Sequence, residues 1–188
     1  GSPDHFPFNG GMQEFYNFAM RGGLDVFFAS GAQIDQHGNF NLSVIGDYER
    51  PTVRLPGGRA NGILYFVARR TILFRTDHSR RVFVPRVDFV TGPGSTPDTV
   101  YRLGGLDAVV TDLCVLEFPR ERRRLELGTL HPGIALEDAQ ARTGFPLHAP
   151  DPVPPTVPPT TEELRLLRTS VRESLERFYP RFAGAQSG

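Results

Sequence analysis

The run Leu24 to Ala29 (LDVFFA) is apolar at all but one position and is bracketed by Gly22-Gly23 and Gly31. A short run without polar alternation, closed by glycines, is the pattern of a strand buried on both faces in a parallel sheet. It opens directly into GAQIDQHGNFNLSVIGDYERPTVRLPGG, residues 31–58, which is polar and rich in glycine. Glycines at 31, 38, 46, 57 and 58 mark places where the backbone turns sharply or comes close to something. A loop leaving the carboxyl end of such a strand is where α/β proteins bind ligands.

The rest of the chain fits that frame. Residues 11–21 carry Met12, Phe15 and Ala19 at helical spacing, and Gly22-Gly23 supply a stop. GILYFVA (62–68) suits helix or strand equally, and TILFR (71–75) reads as a strand. Residues 81–90 read as extended, with Pro85 confining them to an edge or an irregular strand. DAVVTDLCVLEF (107–118) reads as one long strand that turns over at 119–123 and returns through 125–130. Residues 134–142 form a helical pattern stopped by Gly144. Strands alternating with helices, with at least one strand apolar throughout, argue for an α/β sheet covered on both faces. The strand count is low for a self-sufficient doubly wound domain.

Two regions are expected. Residues 1–150 form the α/β domain; the chain begins Gly1-Ser2 without an initiator Met, which fits an N-terminally truncated domain. Residues 151–188 begin in the stiff, proline-rich stretch PDPVPPTVPP (150–159). There, Thr160 and Glu163 form a capping-box pattern ahead of an amphipathic helix striped by Leu164, Leu167, Val171, Leu175 and Phe178. That helix is expected to pack on the body or on a partner.

Composition removes several function classes. The 188 residues carry 21 acidic and 21 basic side chains, so no global field favours nucleic acid or an anionic membrane. Every basic residue is arginine, which excludes a lysine Schiff base or a Walker lysine. Cys114 is the single cysteine, so neither an internal disulfide nor a cysteine-based zinc cluster is available. No apolar run nears the roughly 20 residues a bilayer requires, and no secretory signal is visible. A reducing, cytoplasmic location is expected.

Among single residues, Asp35, Asp47 and Glu49 read as solvated loop carboxylates, since their spacing matches no calcium loop. His37, His78, His131 and His148 lack metal-ligand spacing, so no metal is expected. Ser30 sits at a strand end outside any nucleophile elbow, and Cys114 reads as a buried, inert thiol. The basic run Arg120 to Arg124 reads as a solvated hairpin tip. Residues 55–62 (LPGGRANG) can present backbone N–H groups to an anion, a phosphate or an oxyanion, particularly if a helix starts at Ala60.

The loop at 31–58, followed in order by HSRRVFVPRVDFVTGPG, VVTDLCVLEF, LHPG and TGFPL, resembles the β subunit of class I CoA-transferases of the glutaconate type, from about Gly10 to Arg168. The resemblance implies an open, mostly parallel α/β sheet flanked by helices, in the CoA-transferase superfamily fold, and a homologous α subunit as partner, in αβ or α2β2. It implies CoA transfer between an acyl-CoA and a carboxylic acid through a glutamyl anhydride and a glutamyl-CoA thioester. CoA enters as a substrate, and no further cofactor is implied. Ring-cleaving CoA-ester hydrolases and acyl-CoA decarboxylases of the same superfamily are the alternatives. A non-catalytic binding or structural subunit is the alternative of another class. Carried over to this chain, Gly31, Ala32 and Gln33 in the first loop and Gly57, Gly58 and Asn61 in the second line the acyl-CoA thioester site, mainly through backbone. Arg59, standing where the family has a small residue, is expected to reach a substrate carboxylate. No residue of this chain matches the family's nucleophilic glutamate; Glu14 lies in a helical pattern, and no Ser-Glu-Asn-Gly occurs.

Overall fold

The computed structural model describes residues 11–180. Its strands are β1 (Val26–Ala29), β2 (Gln33–Ile34), β3 (Phe40–Asn41), β4 (Val44–Gly46), β5 (Pro51–Arg54), β6 (Arg70–Phe74), β7 (Leu106–Val110), β8 (Cys114–Glu117) and β9 (Glu126–Leu130). The helices are α1 (Met12–Phe18), α2 (Asn61–Val67), α3 (Leu136–Arg142), α4 (Thr161–Leu166) and α5 (Arg172–Phe178). The chain divides into two compact units, one running from Glu14 to Thr156 and one to which Val157 onward belongs.

The first unit is built on a mixed five-stranded sheet of order β1-β6-β7-β8-β9. β1, β6 and β7 run parallel, and β8 and β9 add antiparallel. The glycine stop after α1 is as expected: the helical path continues through Ala19–Gly23 and breaks where Gly22 takes φ +81°. The ambiguous run at 62–68 is helical, as α2.

The long loop after β1 is more ordered than expected. It folds into two small antiparallel hairpins, β2–β3 and β4–β5. Gly38 turns the first with φ +69°, and a β-carbon there would fall 2.5 Å from Leu106 Cδ2. Only glycine lets this tip seat against the start of β7.

One sheet face is a true core. Leu73, Val109, Leu116 and Leu127 point into it and meet Ile34, Phe40, Tyr65 and Phe83, all buried. Tyr65 donates its hydroxyl to Gly38 O at 2.8 Å, and its ring meets Phe40 edge-on with centroids 5.0 Å apart. Burial pushes the Tyr65 pKa up, so this hydroxyl stays a donor.

The expectation of cover on both faces fails on the opposite side. Phe28 is 62% exposed and Phe74 47% exposed. The register sets Phe28 beside Ile72, and Phe74 beside Val110 and then Val115, so these side chains form a continuous strip. Strand-level apolarity reports that a face can be buried; it does not say which element covers it.

The predicted single strand 107–118 is two strands. Thr111 Oγ1 accepts the N–H groups of Leu113 and Cys114, each at 3.1 Å, and folds the chain back on itself. Local side-chain bonding of this kind competes with a sheet ladder. Residues 81–90 are irregular, joined to the β2–β3 hairpin by one parallel bridge between Ile34 and Phe83. The proline-rich stretch is tied down in its first half: Leu130 N–H donates to Pro154 O at 3.1 Å, and Thr156 N–H donates to Leu130 O at 2.7 Å.

In the second unit, Thr160 and Glu163 form the expected capping box. The helical path continues from α4 through Leu167–Val171 into α5. Leu167, Val171 and Phe178 of its apolar stripe are exposed.

Candidate functional site

The carboxyl end of β1 leads into the first predicted segment. Ser30 Oγ donates to Phe74 O at 2.9 Å, which ties that end to β6 and occupies the hydroxyl. Gly31 turns the chain where a β-carbon would lie 2.8 Å from Gln33 O and 3.0 Å from Phe40 Cβ. Ala32 N–H donates to Asn41 O at 2.8 Å. Gln33 is buried, and its side chain is engaged internally. Its Oε1 accepts from Asn41 Nδ2 at 2.8 Å and from Asp88 N at 3.0 Å. Its Nε2 donates to Asp88 Oδ2 at 3.0 Å, and the same oxygen accepts Gly46 N–H at 2.8 Å. Asn41 Oδ1 in turn accepts Ser43 N–H at 2.9 Å.

The second predicted segment lies against the same strand. Gly57 N–H donates to Leu42 O at 2.8 Å, so the adjacent carbonyls of Asn41 and Leu42 hold Ala32 and Gly57. Thr91 completes the joint: its Oγ1 accepts Leu42 N–H at 2.9 Å and lies 2.8 Å from Ser43 Oγ. The site therefore brings Gly31, Ala32, Gln33, Gly57 and Gly58 into one assembly around β3.

Beyond Gly58 the backbone is unusual. Gly57 has φ +85° and Arg59 has φ +41°, a region that β-branched residues avoid. Ala60 follows in the right-handed region, and α2 starts at Asn61. Asn61 N–H donates to Gly58 O at 2.7 Å. The N–H groups of Gly58, Arg59 and Ala60 donate to no acceptor among the described residues. A left-handed residue followed by a right-handed one, as at Arg59 and Ala60, turns successive free amides to one side as an anion-binding nest does. Arg59 is exposed, and its side chain has no partner among the described residues.

Other candidates have structural roles. Asp35 is only 1% exposed, which corrects its reading as a solvated carboxylate. It accepts the N–H groups of His37 at 3.0 Å and Asn39 at 3.2 Å, as well as Asn39 Nδ2 at 3.0 Å. Asp47 and Glu49 are exposed as expected. His78 is buried between two hydroxyls: Nδ1 lies 2.9 Å from Thr111 Oγ1 and Nε2 lies 2.9 Å from Thr143 Oγ1. Its ring stacks on Phe83 at 4.1 Å. Burial lowers its pKa to about 4, so the ring is neutral near pH 7. Burial also pushes the Cys114 thiol up to about 11, which leaves it unreactive. His131 joins Thr111 O to Thr156 Oγ1, at 2.9 and 2.8 Å. One Glu-x-Gly triplet occurs, at 126–128, but Glu126 opens β9 and is paired with Arg122 and Arg124.

Sequence reasoning passed over Thr91, Asp88 and Asn41. A local signal existed for one of them: Asn41 two residues before Ser43 is an Asx-turn pattern. Thr91 and Asp88 act across more than 40 positions, on residues that no local window contains.

An open sheet with glycine-built loops at the carboxyl end of its first parallel strand defines an α/β fold of the kind that carries ligand sites at such loops. The chain belongs to the coenzyme A transferase family, whose model matches residues 3–141. It is 37% identical over 163 residues to the B-type subunit of 3-oxoadipate CoA-transferase from Pseudomonas knackmussii, covering 82% of this chain and 62% of that protein. It is 38% identical over 143 residues to the B-type subunit of glutaconate CoA-transferase from Acidaminococcus fermentans, covering 68% of this chain and 53% of that protein. The solved structure of Rhodococcus jostii RHA1 IpdAB aligns with a TM-score of 0.78 and 30% identity, over 87% of this chain and 67% of that one. The chain thus spans little more than half the length of the curated relatives it matches. Among the described residues no helix is long and apolar enough to cross a membrane, and no three His, Cys, Asp or Glu side chains gather to hold a metal.

Proposed function

We propose that this chain is the β-type subunit of a heteromeric acyl-CoA-processing enzyme that moves CoA between an acyl-CoA and a carboxylic acid. A homologous α subunit completes the enzyme. The observation that carries this reading is the joint at Thr91, which fixes Leu42 through its hydroxyl and lies against Gly58, where the run of free amides Gly58 to Ala60 begins.

The chemistry follows from that placement. When a carboxylate attacks a thioester, the carbonyl carbon becomes tetrahedral and its oxygen takes the negative charge. Fixed N–H donors stabilise that oxyanion without reorganising. Collapse expels CoA as thiolate and leaves an acyl anhydride; the thiolate then attacks the carboxyl side of the mixed anhydride, and the original acyl group leaves as its carboxylate. Gln33 and Asn41 shape the cradle through their mutual bonds. The attacking carboxylate is assigned to the assembled enzyme, since Asp88 already accepts from Gln33 and Gly46. Arg59, exposed at the rim, is assigned to the incoming acid's second carboxylate.

Purification with the homologous α subunit, then assay of acyl-CoA with a dicarboxylic acid, tests the reading. New acyl-CoA in step with loss of the old is expected. Free CoA released without a new thioester would replace transfer by hydrolysis. That second reading draws on the 35% identity, over 141 residues, to the cholesterol ring-cleaving hydrolase IpdB subunit of Rhodococcus jostii. No turnover of any acyl-CoA by the assembled pair would refute both.

A further inference from the structure

A second concave site lies at the other end of the parallel strands. It is a cavity of about 130 Å³ between the turn at 94–96 and the basic hairpin tip, floored by Leu106 and Phe118 at the start of β7 and the end of β8. Arg102, Arg120 and Arg123 line it, and no acidic residue does.

The three guanidinium groups differ in what holds them. Arg102 is half-buried and fixed by backbone carbonyls: Nη1 donates to Pro93 O at 2.8 Å and Gly94 O at 3.1 Å, and Nη2 to Tyr65 O at 2.9 Å. Its Nε is buried without a partner. Burial holds its pKa below that of a free guanidinium, and the charge of Arg120 pushes the same way. Arg120 has no ion pair among the described residues, and Arg123 meets only the exposed Asp98. Positive groups lining one cavity, with no carboxylate in its lining, leave a charge that an anion would balance.

The backbone is also specialised here. Arg123 is held at φ +50°, in the left-handed region that glycine adopts without penalty. Strained conformations of this kind gather at ligand clamps. At Gly94 a β-carbon would lie 2.1 Å from His37 O, and at Gly104 it would lie 2.1 Å from Arg69 O. Both walls therefore approach as closely as backbone allows. Ser95 and Thr96 keep hydroxyls that bond to nothing else among the described residues.

We infer that this cavity is a binding site for a phosphate group, held by Arg120, Arg123 and the Ser95 and Thr96 hydroxyls, with Arg102 as its fixed positive wall. A phosphate dianion matches the forked donors of arginine, and the cavity of about 130 Å³ has room for it. The site is linked to the acyl loops by one short run: Thr91 stands at those loops and Ser95 at the cavity, so about 14 Å of chain at most separates them. A ligand with a thioester at one end and a phosphate at the other could use both. That part of the inference rests on the acyl-CoA reading; phosphate binding itself does not.

The test is calorimetric titration of the full 188-residue chain with inorganic phosphate, CoA and 3′-dephospho-CoA at constant ionic strength set by chloride. Saturable phosphate binding is expected, weakened at least fivefold by Arg120→Gln and again by Arg123→Gly, with thermal melts confirming that both variants fold. If CoA binds at least tenfold more tightly than dephospho-CoA, and Arg120→Gln removes the difference, the phosphate is the one CoA carries. If CoA and dephospho-CoA bind alike while inorganic phosphate keeps its dependence on Arg120, the ligand is a small free phosphate compound. Absence of phosphate binding above the chloride background, or equal binding by wild type and both variants, overturns the site. None of these outcomes decides the transfer assay, which stands or fails separately.

Discussion

The methyl group of Thr91 occupies the space that a side chain on Gly58 would need: a β-carbon there would lie 2.3 Å from Thr91 Cγ2. The same threonine holds Leu42 through its hydroxyl, so one residue sets both the position of the first loop and the permitted size of the second.

Gly58→Ala is expected to destabilise the folded state by about 1–3 kcal/mol through overpacking. Thr91→Ser keeps the hydroxyl and removes the methyl, leaving Cβ at a comfortable 3.8 Å. The double variant should recover most of the loss. Urea unfolding of the four proteins checks this; a double variant no more stable than Gly58→Ala alone would show that the clash is not the cause.

At Arg59, the left-handed backbone predicts opposite outcomes for two substitutions. Arg59→Gly should leave stability within about 1 kcal/mol of wild type. Arg59→Val should lose about 1–2 kcal/mol, because a β-branched side chain fits that region poorly. Equal melting temperatures for the two variants would contradict the assigned conformation.

Asp35 accepts four N–H donors, from His37, Asn39 (backbone and side chain) and Val87, while nearly sealed from solvent. Asn in its place turns one acceptor oxygen into a donor that faces other donors. A loss of about 1–3 kcal/mol is expected, with the β2–β3 tip affected first. Hydrogen exchange at the amides of His37 and Asn39 would report it, and unchanged protection there would refute the role.

The pH profile should carry the signature of His78. Its folded pKa of about 4 lies below the ordinary value of 6.5. Between those values the unfolded chain binds a proton that the folded chain does not. Stability is therefore full above pH 6.5, falls as pH drops through that window, and stops falling from this cause below about 4. The loss is roughly 3 kcal/mol at most. The charges around the ring are Asp112 and Asp77, which favour protonation, and Arg142, which opposes it. His78→Gln should flatten the profile in this window, and an unchanged slope would assign the effect elsewhere.

What the sequence disclosed follows from the range over which each interaction acts. β1 was legible as a strand because it is apolar along its own length, but that apolarity did not show that it is an edge strand with one face exposed. The capping box at Thr160 was legible because both partners lie within one helical turn. The break at Thr111 was hidden by the apolar residues around it, although the adjacent pair Thr111-Asp112 was the available signal. Asp35 reads as a loop carboxylate until the β2–β3 tip closes around it. The two glycine-rich loops stand out in the sequence, but the joint between them does not, because Thr91 reaches Leu42 from 49 positions away.

The connection from Ser30 to Arg69 is at once the wall of the proposed site and the crossover that lets β1 lie parallel to β6. Closing forty residues of chain has an entropic cost that must be met before the first parallel pairing forms. The hairpins β2–β3 and β4–β5 shorten that span by folding locally. The cradle for a ligand is therefore also part of the connection that must close before β1 and β6 pair. A substitution that loosens it should slow the appearance of the sheet, and a ligand that tightens it should speed refolding.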